Sequence, residues 1–495
     1  MSTISRSAPA PETRRWSGFG TLFMTDVWER FGFYAMTAVL SLYAAAPVAS
    51  GGLGWQVADA AALFAIWLAL TFMFSLPGGW LADRVLGARR TLMAGGLLVI
   101  CGYLVVILTE PHVGLIGLAI VTVGTGLYKP SHQTMFNLMV EGRARRESGI
   151  SLLYVGIQLS ALVAPLVAGY LGERVDWRLA FASAAVTMLI GLVTLVLAAG
   201  RFGDTGLTPP RPIDSAAGKR LLRRGGVYAA AAGVVLVTLG ATGSLSPSTL
   251  LPLIGLLTLA VPVITYVKLY RDPGLGAADR KRLLTFLWVF AGWTLFWMLV
   301  GQGGSVLNLF GLHSTDRELF GFEVPASWLQ SATPLFILLL GPVFAWLLPR
   351  MGRRSVSASV HKLTIGLLVA GGSFLVMTVA SVLSADGTKV SPLWLLIVYF
   401  AHACGELIIA AVGVASVADV LPRPYMSQMI GMLWLFAALG GGVGSQVVRL
   451  STVVPEPVYY TVLGVLVIAT GFVLASRRTA IATALSKQDA RRDDQ

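Results

Sequence analysis

Apolar segments of about twenty residues recur along the whole chain, each long enough to cross a bilayer as a helix. We count about fourteen of them, centred near Phe33, Leu70, Leu98, Leu118, Gln158, Met188, Val234, Leu257, Phe296, Leu338, Leu368, Leu407, Leu435 and Leu466. In hydrocarbon the backbone must satisfy its own hydrogen bonds, and a helix does so within one segment. Only 12% of the 495 residues are charged and 56% are hydrophobic, more apolar surface than a soluble fold of this length hides. The seventh and eighth segments, within residues 226–268, follow a polar stretch from Gly200 to Arg224 that reads as a cytoplasmic linker with Thr208-Pro209-Pro210.

The net charge of +13 does not point to nucleic acid, because the basic residues sit at span ends. Arg84, Arg89 and Arg90 follow the second span, and Arg143, Arg145 and Arg146 the fourth. Lys219, Arg220, Arg223 and Arg224 follow the sixth; Lys281 and Arg282 precede the ninth. Arg350, Arg353 and Arg354 follow the tenth, and Arg477 and Arg478 close the last. With a cytoplasmic N-terminus all of these fall on one side, so the positive-inside rule puts both termini in the cytoplasm of a multi-pass cell-membrane protein. The tail with Arg6, Arg14 and Arg15 agrees, and the first span is too long and too charged for a cleavable signal. Cys101 and Cys404 lie within spans, where a structural disulfide is not expected.

Inside the first span runs Asp26-Val27-Trp28-Glu29-Arg30-Phe31-Gly32-Phe33-Tyr34. Asp26, Glu29 and Arg30 stand at i, i+3 and i+4, on one helical face. Charge within a span is kept where it lines a substrate or ion path; the alternative is an ion pair that only packs helices. Later in the chain, Trp80-Leu81-Ala82-Asp83-Arg84-Val85-Leu86-Gly87-Ala88-Arg89-Arg90 joins the second and third spans. A degenerate echo, Trp346 to Arg354, joins the tenth and eleventh. Two six-helix bundles related by a parallel repeat account for this, with a site at their interface. The expected organisation is a tail over 1–16, a bundle over 17–200, linkers with two inserted helices over 201–280, a bundle over 281–476 and a tail over 477–495.

These residues resemble the proton-coupled oligopeptide transporters, a branch of the major facilitator superfamily. The family's first-helix motif is Glu-x-x-Glu-Arg-Phe-x-Tyr-Tyr, against Asp26, Glu29, Arg30, Phe31, Phe33 and Tyr34 here. Gly78 to Arg84 and Gly124 to Pro130 are similar to family segments. So are Phe296-Trp297 with Gln302 and Ser305 to Phe310, Thr315-Asp316-Arg317, Pro325 to Ser331, Gly405-Glu406-Leu407 and Met432-Leu433-Trp434. The likeness runs from about residue 18 to 476 and includes two extra helices, as in bacterial members.

The resemblance implies an all-helical major facilitator fold and proton-driven import of di- and tripeptides or peptide-like compounds by alternating access. Asp26, Glu29, Arg30, Lys129 and Glu406 would form the proton-coupling and gating set. Glu406 would receive the peptide's amino terminus and pair with Lys129 when the site is empty. Arg30, Tyr34, Lys129, Gln158, Trp297, Thr333, Glu406 and Trp434 would bind substrate, although both tryptophans equally suit simple core packing. Physics gives the charges a role: a zwitterionic peptide needs one anionic and one cationic contact. Moreover, the proton affinity of a buried carboxylate changes when a nearby cation moves.

Several positions depart from the family. The first acid is Asp26, and the first Tyr is Phe33; Gln158 and Thr333 stand where Asn is usual. The family places an Arg one turn beyond the first motif, where Thr37 stands, and a Glu before Gln302, where Gly301 stands. These two can form a salt bridge across the outer side of the family's pocket. Losing one partner strands a buried charge at a cost of several kcal/mol, so the paired absence is the physically favoured one. We expect a less charged, wider pocket near Gly301 and a bulkier or less zwitterionic cargo than a plain dipeptide.

His402, one turn before Glu406, and His132, one turn after Lys129, read either as proton relays or as packing histidines; His112, His313 and His361 fall at span ends. No metal-ligand spacing, phosphate loop or nucleophile triad is present, so neither enzyme activity, metal nor cofactor is expected. The expected partners are substrate, protons and lipid, for a monomer that binds no nucleic acid. Two rival readings stay open: a proton antiporter exporting a drug or peptide-like natural product, and a non-transporting membrane sensor.

Overall fold

The structure, a computed structural model, describes residues 12–140, 143–214, 246–348, 356–410 and 425–486, with positions 218, 220, 223, 350, 412 and 420–422. The span expected around Val234 lies outside these residues, as do Lys219, Arg224, Arg353 and Arg354.

Among the described residues the chain is helical apart from connections and one two-stranded ribbon. The first six helices are α1 (Glu12–Ala45), α2 (Val57–Leu81), α3 (Ala88–Leu108), α4 (Pro111–Met139), α5 (Arg143–Arg174) and α6 (Trp177–Leu197). Beyond the linker come α7 (Pro247–Tyr270), α8 (Ala277–Val300) and α9 (Val306–His313). The ribbon pairs β1 (Glu318–Leu319) with β2 (Phe322–Glu323) in antiparallel register. After it follow α10 (Ala332–Leu347), α11 (Val356–Leu383), α12 (Leu393–Ala410), α13 (Met426–Val447) and α14 (Glu456–Ser486). Twelve stretches are long and apolar enough to cross a membrane, with α8 and α9 counted as one. Helix α1, which carries the charges, is one more long helix, so the expected set of about fourteen spans is matched except around Val234.

The surface suits lipid. Leu97, Leu104, Ile116, Val186, Leu257 and Phe472 are exposed along their helices, which in water would be a sticky face and in a bilayer is solvated. Of the apolar window of α7 only 28% is buried, and of the span Ala326–Leu347, which ends in α10, only 22%.

The chain divides into two compact units. One comprises Met1–Tyr34, Phe74–Ser160 and Phe181–Ala229; the other Ala35–Met73, Ala161–Ala180 and Ala230–Gln495. In the first, α3 and α4 pack closely because glycines face each other. A Cβ on Gly95 would stand 2.7 Å from the Tyr128 nitrogen and 2.8 Å from the Gly124 oxygen, the small-residue contact that replaces hydrophobic drive in lipid. In the second, α11 packs on α12 and α14, α13 on α7 and α8, and α10 on α12.

The basic turn before α3 does more than anchor the membrane face. Gly87 has φ +83°, a left-handed value, and a Cβ there would meet the carbonyls of Gly206 and Leu207. Arg89, expected as a cytoplasmic anchor, is 9% exposed. Its guanidinium donates to the Gly203 and Ala199 oxygens at 2.8 and 3.0 Å. The charge binds carbonyls of the turn that follows α6.

The span containing Phe296 is not continuous. Helix α8 stops at Val300, a 3-10 turn covers Gly301–Gly304, and Ser305 (φ −125°, ψ −100°) separates it from α9. Three glycines in four positions remove the helix preference that would carry the backbone through.

Candidate functional site

In the first unit the charged run of α1 meets α3, α4 and α5. Their side chains donate to α1 carbonyls: Tyr103 to Gly32 at 3.0 Å, Tyr128 to Thr25 at 3.1 Å and Ser160 to Val27 at 2.8 Å. Polar groups within a span need such partners, and these fix the rotation of α1 and hence the aim of its charges.

Glu29 and Arg30 are 3% and 2% exposed. Arg30 Nε donates to Glu29 Oε2 at 2.6 Å and Nη2 to Oε1 at 2.5 Å, a bidentate pair that satisfies both carboxylate oxygens. The partners are neighbours in sequence, whereas helical spacing favours i+3 or i+4. The guanidinium also lies 4.5 Å from the centre of the Phe33 ring, whose edge contact to Tyr34 is 5.3 Å. Asp26 turns to α4 instead, where His132 Nδ1 is 3.5 Å away. Lys129 is half-buried in the field of Arg30, Glu29 and Asp26 and has no ion pair among the described residues. Gln158 is buried on α5 of the same unit. Asp26, Glu29, Arg30 and Lys129 thus lie together in this unit.

In the second unit Trp297 and Trp434 line a small apolar recess with Leu68, Ala69, Phe72 and Gly441. Phe72 and Trp434 stack at 6.0 Å and 10°, and Trp434 is 49% exposed. Trp297 is half-buried. Glu406 and His402 stand on α12, and α10, which begins with Ala332 and Thr333, packs on that helix through Ile337 against Ala403 and Leu407. Glu406 is half-buried, with no hydrogen bond or ion pair among the described residues. His402 is 1% exposed, 6.5 Å from the Phe374 ring, and its Nε2 has no hydrogen-bond partner among the described residues.

Thr37 and Gly301, also in this unit, stand beside neutral ties. Ser41 Oγ donates to the Gly304 oxygen at 2.8 Å, and Asn308 Nδ2 to the Ala38 oxygen at 2.8 Å. A Cβ on Gly301 would meet only Leu68, at 3.8 Å. Further ties join the ends of α5 and α2 to later segments. Glu173 accepts from the Ala326 and Ser327 nitrogens at 2.7 and 3.0 Å and from Ser327 Oγ at 2.5 Å. It thereby caps the 3-10 turn Ala326–Ser331. Trp328 Nε1 and Ser331 Oγ donate to the Leu166 and Leu162 oxygens, and Arg449 pairs with Asp59 at 2.9 Å.

Sequence reasoning passed through Asn308, Ser327 and Ser331 as parts of similar segments without assigning them a role, and missed Glu173 and Ser41. The signal available was a lone polar side chain within an apolar span.

Comparison with known proteins agrees with this architecture. The family model for the POT family matches residues 89–463. Uncharacterized transporter YclF of Bacillus subtilis (strain 168) is 33% identical over 462 residues, 92% of each chain. The Di-/tripeptide transporter of Lactococcus lactis subsp. cremoris is 30% identical over 92% of this chain and 94% of its own. A crystal structure of a peptide transporter POT variant in complex with alafosfalin superposes with a TM-score of 0.87 and 33% identity, over 95% of this chain and 96% of that one. A helical chain matched over nearly its whole length in this way belongs to the POT family and is a multi-pass membrane transporter.

Proposed function

We propose that this transporter is a proton-driven symporter importing short peptides or peptide-like compounds across the cell membrane, with both termini cytoplasmic. The observation that carries the reading is charge kept inside apolar helices. Buried Glu29 and Arg30 with half-buried Lys129 lie in one unit, and half-buried Glu406 in the other. Such charges are expensive in a membrane and are retained for substrate or ion paths.

In this reading Lys129 and Arg30 receive the carboxylate of the cargo and Glu406 its amino group. Asp26, Glu29, Arg30, Lys129 and Glu406 couple the proton to the cargo. Tyr34, Gln158, Trp297, Thr333 and Trp434 line the path. The relatives named for di- and tripeptides support the cargo class. Thr37 and Gly301, which carry no charge, favour a bulkier or less zwitterionic cargo than a plain dipeptide.

The test is uptake of labelled dialanine by purified protein in liposomes under an inward proton gradient, beside Glu406→Gln. Accumulation by the wild type that the variant loses establishes symport. No uptake of dialanine or of a larger or N-blocked peptide by a folded, reconstituted protein overturns it in favour of export of peptide-like compounds. Competition then addresses cargo size: dialanine outcompeting larger or N-blocked peptides refutes the wider pocket.

A further inference from the structure

His132 stands on α4, 4% exposed, its ring stacked on Tyr128 at 5.9 Å and 9°. Its Nε2 is 2.8 Å from the Leu22 carbonyl oxygen. A carbonyl oxygen only accepts, so Nε2 carries a hydrogen. Nδ1 is then the nitrogen turned toward Asp26 Oδ1, at 3.5 Å. In the neutral ring with hydrogen on Nε2, Nδ1 presents a lone pair, and a lone pair facing a carboxylate repels it. One added proton, on Nδ1 or on the carboxyl group, converts the contact into a hydrogen bond.

We propose that Asp26 and His132 together bind one of the transported protons, a role that rests on the proton-driven reading above. The proton arrives from water, is held between Oδ1 and Nδ1, and leaves as a proton. No other bond changes.

Other acids near the pair are less suited. Both oxygens of Glu29 are engaged by Arg30. Among the described residues, Asp26 acts electrostatically on Arg30 of α1 and on Tyr128 and Lys129 of α4, and Glu29 acts on the same three. Their formal charges of two acids and two bases cancel, so a proton on the pair leaves the group positive. An extra positive charge one turn from Lys129 favours an anionic cargo group there. Proton and cargo then strengthen each other's binding, as linkage requires. The acid is also one methylene shorter than in the family's motif, and the imidazole on α4 stands 3.5 Å from it.

The experiment uses the full chain in lipid vesicles with 15N-labelled histidine. The ring signal lost in His132→Gln identifies the residue. We expect hydrogen on Nε2 at high pH and a second ring proton or a shared one on acidification, with a response altered in Asp26→Asn. A His132 signal that carries its hydrogen on Nδ1, or responds alike in wild type and Asp26→Asn, overturns the pair. In parallel, the ratio of gradient-driven dialanine accumulation to counterflow should fall about tenfold in His132→Gln, with no further loss in the double variant. An unchanged ratio also overturns the proposal. If the wild type accumulates no peptide, the symport reading fails instead, and the histidine signal alone decides whether the pair binds a proton.

Discussion

Asn308 on α9 donates its amide hydrogen to the carbonyl oxygen of Ala38 on α1, 270 positions away in sequence and 2.8 Å away in space. With Ser41 on the Gly304 oxygen, it ties the two helices by neutral groups at the level of Thr37 and Gly301, where the family resemblance implies an ion pair. Asn308→Ala should cost about 1 kcal/mol and lower the thermal unfolding temperature of the detergent-purified protein. Asn308→Asp should lower it further, because an acceptor would then face an acceptor.

The family's charges can be restored. A side chain at Gly301 has room, with only Leu68 at van der Waals distance. Gly301→Glu alone should impair uptake more than Gly301→Glu with Thr37→Arg, with a coupling of about 1–3 kcal/mol. Additive effects on uptake rates would mean that the positions act independently.

Glu173 accepts three hydrogen bonds from Ala326 and Ser327, and its side chain is 9% exposed. Glu173→Ala leaves two backbone N–H groups and Arg317, 3.9 Å away, without that carboxylate. The expected loss is about 3 kcal/mol. Thermal unfolding should rank the variants wild type, Glu173→Gln, Glu173→Ala.

The Glu29–Arg30 pair is buried on both sides. Glu29→Gln strands the guanidinium and should destabilise the protein by about 3–5 kcal/mol. Arg30→Lys should fail to restore uptake, since an ammonium cannot make the fork that binds both oxygens. Reconstituted uptake beside a melting curve separates loss of function from loss of fold.

The spans were legible because the bilayer demands about twenty apolar residues for each crossing, a signal that needs no tertiary information. The charged face was legible for the same reason: Asp26, Glu29 and Arg30 stand out against apolar neighbours. Which groups pair was not. Helical spacing suggests partners three or four residues apart, yet Glu29 takes Arg30 beside it and Asp26 takes His132 on another helix. That choice depends on how α1 is rotated by Tyr103, Tyr128 and Ser160, which no local pattern encodes. Arg89 read as a membrane-face anchor because sequence gives its charge and not its burial. The ties of Ser41 and Asn308 involve backbone carbonyls, which are the same in every residue and leave no trace in sequence.

The joint at Gly301–Ser305 changes the mechanics of its span. An unbroken α-helix transmits torque along its axis. Here α8, which carries Trp297, and α9, which carries Asn308, are two rods linked by a short turn. Tyr459 pins that turn through its 2.7 Å hydrogen bond to Gln302. Rotation of one rod is therefore a separate degree of freedom from rotation of the other. The break thus places the wall of the recess on one rod and the Asn308 tie on the other.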